Sequence, residues 1–195
     1  MAKWRKVHIH TSAGMVPGVA PVIISASRAT DIPAFYGEWF INRLKAGYVK
    51  WLNPFNRVPQ YVSFADTRVI VFWTKNPAPI MPLLHEITHQ GIHYYFTVTL
   101  NDYEAEGLEP GVPPLEERIE TFIRLSELLG RQKVIWRFDP LILTGREDIG
   151  TLLNKVARIG KRIHKYTEQF VISFADIDNY RKVKLNLGKA GVKWR

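Results

Sequence analysis

Five apolar runs in this chain each end in groups that can ionise or hydrogen-bond. PVIISASRATD closes on Ser25, Ser27, Arg28, Thr30 and Asp31. RVIVFWTKN closes on Trp73, Thr74, Lys75 and Asn76, and HYYFTVTLND on Thr97, Thr99, Asn101 and Asp102. KVIWRFD closes on Trp136, Arg137 and Asp139, and QFVISFADID on Ser173, Asp176 and Asp178. Arg28, Lys75 and Arg137 are suited to a phosphate or carboxylate, since each arginine can give two parallel hydrogen bonds to such an anion. Asp31, Asp139 and Asp176 are the candidate catalytic groups, as proton acceptors or as joint ligands of a divalent cation. Ser27, Trp73, Asn76 and Thr99 complete the candidate substrate-binding set. No histidine falls at these five ends, so a serine–histidine triad is not expected.

Each of these residues also has a plain structural reading. Asp31 precedes a helical pattern and can cap it. Arg137 and Asp139 lie two apart in a strand, hence on one face, and can pair with each other. Lys75 and Asn76 can simply begin a solvated loop. The coincidence of polar groups on five strand ends is what singles them out.

A second arrangement, HEITH at His85 to His89, matches the His-Glu-x-x-His pattern of zinc proteases, in which two histidines one turn apart hold the metal. A helical wheel places Ile80, Leu83, Leu84 and Ile87 on one side and both histidines on the other. Ligands there would hold a metal in water, so a solvated face is the expectation. His8 and His10, in HIH, belong to a leader or an added strand over residues 1–20.

The elements that must position the five ends alternate. PVIISAS precedes the helical DIPAFYGEWFINRLKAG, with Asp31 as cap and Gly47 as stop. RVIVFWT precedes APIMPLLHEITHQG. HYYFTVTL leads through the loop NDYEAEGLEPGVPP to LEERIETFIRLSELLG, whose Leu115, Ile119, Phe122 and Leu129 share a face. KVIWRFD precedes IGTLLNKVARIGKRIHKY, and QFVISFAD precedes YRKVKLNLGKAG. This rhythm implies a parallel sheet flanked by helices, with ligands at the carboxyl ends of the strands. No Gly-x-Gly-x-x-Gly follows the first strand, so a dinucleotide-binding fold lacks its usual signal. The expectation is therefore an α/β fold of the TIM type: a (β/α) barrel over residues 21–195, with about six strong parallel strands. It is either partial or closed by the weaker strands near Tyr48 and Tyr61.

Composition bounds the partners. The chain has 195 residues and no cysteine, which excludes disulfides and thiolate metal sites within it. No apolar run approaches the roughly 18 residues of a spanning helix, and MAKWRKVHIHTSAGM lacks the apolar core of a signal peptide. A cytoplasmic location without membrane contact is the expectation. The net charge of +9 favours an anionic partner, either a phosphate- or nucleotide-like small molecule or nucleic acid. Much of that charge lies in Lys155, Arg158, Lys161, Arg162 and Lys165, and in the tail from Arg181 to Arg195, where Trp194 is a candidate stacking group. An acidic stretch from Asp102 to Glu120 partly offsets it. No cofactor is identifiable, a divalent cation on the aspartates being the one open option.

The stretches SASRATDIPAFY, FWTKNP and WRFDP, with NPFN, YYFTVTLNDY and VISFADI, resemble an uncharacterised bacterial family, domain of unknown function 1848. The likeness runs from about Val22 to Lys184. Longer members of that family carry clustered cysteines in a C-terminal part and look like iron–sulfur, radical S-adenosylmethionine proteins, including DNA-repair lyases. The resemblance implies such a cluster only for chains that contain those cysteines, and this one contains none.

Three functions follow as expectations. The first is an enzyme that binds an anionic substrate at the strand ends. The second is a non-catalytic nucleic-acid-binding module. The third is a remnant of an iron–sulfur protein without its cysteine-bearing end.

Overall fold

The computed structural model describes residues 4–12, 14–27, 30–53, 56–143, 148–175, 177, 181–189 and 191. Arg28, Asp176, Asp178 and Trp194 lie outside the described residues. The chain divides into two compact units, one of residues 1–74 and 78–96, the other of residues 75–77 and 97–195.

The first unit opens with a hairpin of β1 (Arg5–Thr11) and β2 (Gly14–Ala20), paired antiparallel. Ile9 is buried between the exposed His8 and His10, the alternation expected of a strand with one covered face. β3 (Ile23–Ala26) leads to α1 (Ile32–Phe35) and α2 (Gly37–Lys45), so the predicted single helix is broken at Tyr36. β4 (Tyr48–Leu52) and β5 (Pro59–Ser63) form an antiparallel pair, and β5 also pairs parallel with β2. β6 (Val69–Thr74) buries Ile70, Val71 and Phe72. A 3-10 turn over Ala78–Leu83 then runs into α3 (Leu84–His89). Leu84 and Ile87 are buried there while His85 and His89 are exposed, so HEITH lies on a solvated helix face.

In the second unit, α4 (Leu115–Leu129) buries Leu115, Ile119, Phe122 and Leu125. β8 (Val134–Leu141) is followed by α5 (Ile149–Ile163), β9 (Phe170–Phe174) and α6 (Arg181–Lys189). β8 and β9 are parallel. α5 lies over Trp136 of β8: a Cβ added at Gly160 would meet the indole at 3.5 Å. β7 (His93–Thr99) has residues in both units.

Two sheets result, one of four strands in the order β1-β2-β5-β4 and one of five in the order β3-β6-β7-β8-β9. The expected (β/α) barrel, complete or partial, is not what forms. The five strong strands do follow one another in chain order, as they would around a barrel, but β3 and β9 end as the two edges of an open sheet. The weaker strands near Tyr48 and Tyr61, expected to close a barrel, hydrogen-bond to each other and to the N-terminal hairpin instead. A strand has two edges, and those of β5 are both taken in the other sheet. No helix among the described residues is long and apolar enough to cross a membrane.

Candidate functional site

Of the sequence-derived site residues, Ser27, Asp31 and Trp73 belong to the first unit. The Asp31 carboxylate accepts a hydrogen bond from the Ala34 N–H at 3.1 Å and caps α1, which fits its plain structural reading. Ser27 Oγ accepts from the Ile32 N–H at 3.3 Å. Trp73 is exposed between the buried Phe72 and Thr74, where strand alternation puts it.

Lys75, Asn76, Thr99, Arg137 and Asp139 belong to the second unit. Arg137 and Asp139 share one face of β8 while Trp136 and Phe138 are buried on the other. The register of β8 against β9 shifts between Phe138 and Leu141: Phe138 stands opposite Ile172, and Leu141 opposite Phe174. Two residues of β8, Asp139 and Pro140, therefore face only Ser173, a bulge that re-aims the Asp139 side chain. The Asp139–Pro140 peptide is cis.

A bulge leaves backbone groups without ladder partners, and side chains satisfy them here. Asn101 holds Asp139 from both sides. Its Oδ1 accepts from the Asp139 N–H at 3.0 Å, and its Nδ2 donates to the Asp139 carbonyl at 3.1 Å. The Tyr103 hydroxyl donates to the Pro140 carbonyl at 2.9 Å and accepts from the Ile142 N–H at 3.0 Å. The strand end that carries Asp139 is thus fixed by two buried polar side chains.

The Asp139 carboxylate accepts hydrogen bonds from the Ser173 hydroxyl on one oxygen and from the Arg137 guanidinium on the other. The Arg137 and Asp139 side chains are 15% and 24% exposed, so the pair is sheltered but reachable. Burial works to raise the Asp139 pKa. The hydrogen bonds from Ser173 and Arg137, with the charges of Arg137 and Lys75, outweigh it and hold the carboxyl below its ordinary value. Asp139 is therefore an ionised acceptor at neutral pH rather than a proton donor.

Lys75 brings a second charge network to the same unit. Its Nζ lies 2.7 Å from Glu109 Oε1, and Arg118 Nη1 lies 3.3 Å from Glu109 Oε2. Arg118 Nη2 also reaches Glu104 Oε1 at 3.3 Å, and that oxygen accepts from the Leu115 N–H at the start of α4. Glu109 and Arg118 are only 1% and 2% exposed.

Arg137, Asp139 and Ser173 thus contact one another, and the charge of Lys75 acts on Asp139. Asn76 is half-buried in the same segment as Lys75, and Thr99 is half-buried on β7. Arg28 and Asp176 lie outside the described residues. Among the described residues no three of histidine, aspartate and glutamate converge as metal ligands. Sequence reasoning overlooked Glu109 and Arg118. Arg118 was legible as a lone cation within the apolar stripe of Leu115, Ile119 and Phe122. Glu109 carried no such signal in its acidic loop.

An ionised carboxylate at a fixed strand end predicts acid sensitivity. The unfolded chain titrates Asp139 near about 4. Above that value Asp139 contributes its full stabilisation, and the contribution is lost as pH falls toward the lower folded-state pKa. Urea midpoints measured from pH 7 to pH 3 are expected to fall more steeply below about pH 4 in the parent than in Asp139→Asn. Parallel curves would refute the assignment.

Comparison with known proteins adds one match. The family model described as "Domain of unknown function (DUF1848)" covers residues 23–195. No curated protein and no solved structure matches the chain.

Proposed function

This chain belongs to the DUF1848 family, and from that premise we propose that its second unit carries an enzyme site for a phosphate- or nucleotide-like anion at the carboxyl ends of β8 and β9. The observation that carries the reading is the joint hold of Arg137 and Ser173 on Asp139 at the bulge. A guanidinium has five donors in a planar fork, so one carboxylate does not exhaust it. Asp139 orients Arg137 and the Ser173 hydroxyl, and Lys75, half-exposed beside its partner Glu109, supplies a further positive charge. The anion would lie across Arg137 and Lys75, while the Ser173 hydroxyl stays committed to Asp139. Asp139, as an ionised acceptor, would take a hydrogen bond from a hydroxyl or water on the substrate. The 195 residues offer no thiolate to hold an iron–sulfur cluster.

The nucleic-acid reading is less well supported, because the cations of α5 are largely matched within the protein. Lys155 Nζ pairs with Glu106 at 2.8 Å, Arg158 with Asp102 at 2.7 Å and Arg162 with Glu116 at 2.8 Å. Those acids come from the segment that offsets the basic helix in the sequence, which lowers its attraction for a polyanion.

Calorimetric titration with inorganic phosphate and with adenosine monophosphate tests the reading. Saturable binding to the parent is expected, with affinity reduced about tenfold or more in Arg137→Gln, the effect of losing charge-assisted hydrogen bonds. Absence of saturable binding, or equal affinity in the variant, would discard the proposal.

A further inference from the structure

The first unit has a hollow of about 400 Å³ lined by Ala34, Phe35, Tyr36, Gly37, Glu38, Trp39 and Pro79. We propose that it is a binding site for a small organic cation of the quaternary-ammonium type, such as a free trimethylammonium compound. The inference is separate from the anion site and does not depend on it.

The break between α1 and α2 builds the hollow. Tyr36 ends α1 in a non-helical conformation, with φ −136° and ψ 27°, and the helix resumes at Gly37. Gly37 is buried against Ile80: a Cβ there would lie 3.3 Å from the Ile80 side chain. The break therefore sits close against the 3-10 turn, and the rings on either side of it turn outward. Phe35, Tyr36 and Trp39 are 69%, 49% and 45% exposed, while Phe40, Ile41 and Leu44 of the same segment are buried. Three large aromatics exposed together around a concavity are unusual for a soluble surface, and such patches mark binding sites.

The lining indicates which ligand fits. The exposure of these three rings leaves ring surface open to a guest. Each ring presents a negative face to a cation. Among the described residues, Glu38 is the only ionisable acid or base lining the hollow other than the Tyr36 phenol, and it makes no ion pair. Aromatic faces with a single carboxylate complement an organic cation. The carboxylate and the ring faces disfavour an anion. A neutral apolar guest would gain the ring contacts but would leave Glu38 without a counter-charge.

The probe is choline, with its neutral isostere 3,3-dimethylbutan-1-ol, titrated into the full chain and followed by the Trp39 indole resonance. Saturable choline binding is expected, with the isostere at least about tenfold weaker, the difference due to cation–π and charge contacts. Trp39→Ala, at an exposed position, is expected to weaken choline binding about tenfold, followed in that variant by calorimetry, and Trp39→Phe to restore part of it. Glu38→Gln is expected to weaken choline and leave the isostere unchanged. No saturation by choline, equal binding of the isostere, or an unchanged affinity in folded Trp39→Ala would each overturn the proposal.

Discussion

Arg118→Met is expected to destabilise the second unit by about 3–5 kcal/mol, the usual cost of breaking a buried ion pair from one side. Glu109 lies 99% out of water by its side chain, since only 1% is exposed, and Arg118 is one of its two cationic partners. Methionine fills much of the arginine volume, so the loss would arise from the weakened compensation of the buried Glu109 charge rather than from a cavity. Lys75 would remain at 2.7 Å, yet one cation would then face a carboxylate that two now share. The network is not ideal even in the parent: the buried Arg118 Nε has no hydrogen-bond partner among the described residues. That predicts a second result. Glu109→Leu combined with Arg118→Met is expected to recover part of the loss, because apolar side chains of similar volume replace a buried pair at little cost. Lys75, 38% exposed, can turn to water in the double variant. Urea unfolding followed by circular dichroism reads both. A loss below about 1 kcal/mol in the single variant, or a double variant worse than either single one, would contradict the account.

Phe72→Ala is expected to cost the first unit about 3–5 kcal/mol. Phe72 is fully buried in the middle of β6. Its ring stacks on Phe96 with centroids 4.9 Å apart and meets Phe40 and Tyr94 edge-on at 5.5 and 6.4 Å. Alanine would leave a cavity bounded by three rings, and rings collapse poorly into such space. Hydrogen exchange read by mass spectrometry is expected to rise in peptides covering β6 and α2. Protection equal to the parent's would show that the aromatic cluster does not set the stability of this unit. Trp73→Ala, one position on and exposed, is the control, expected to change stability by less than about 1 kcal/mol.

Much of the local structure was legible in the sequence. Alternation in KVIWRFD put Arg137 and Asp139 on one face and Trp136 and Phe138 on the other, and both pairs lie so. The helical wheel of APIMPLLHEITHQG put Leu84 and Ile87 inward and the histidines of HEITH in solvent, as they are. The βα rhythm led to five strands adjacent in chain order. These features depend on the polarity of neighbouring residues, and polarity with a period of two or of 3.6 is a local property.

What the sequence could not decide was which edges meet. The segments at Tyr48–Leu52 and Pro59–Ser63 read as strands, but every strand offers the same N–H and C=O groups along its edge. Only the competition among all strands placed them beside β2 and left the larger sheet open. The pairing of Glu109 with Lys75 and Arg118 was hidden for a similar reason. A glutamate in an acidic loop looks solvated until the fold brings two cations, 34 and 9 residues away in the chain, against it. Burial of a charge depends on long-range neighbours, which are set by the tertiary structure and not by the run of residues around it.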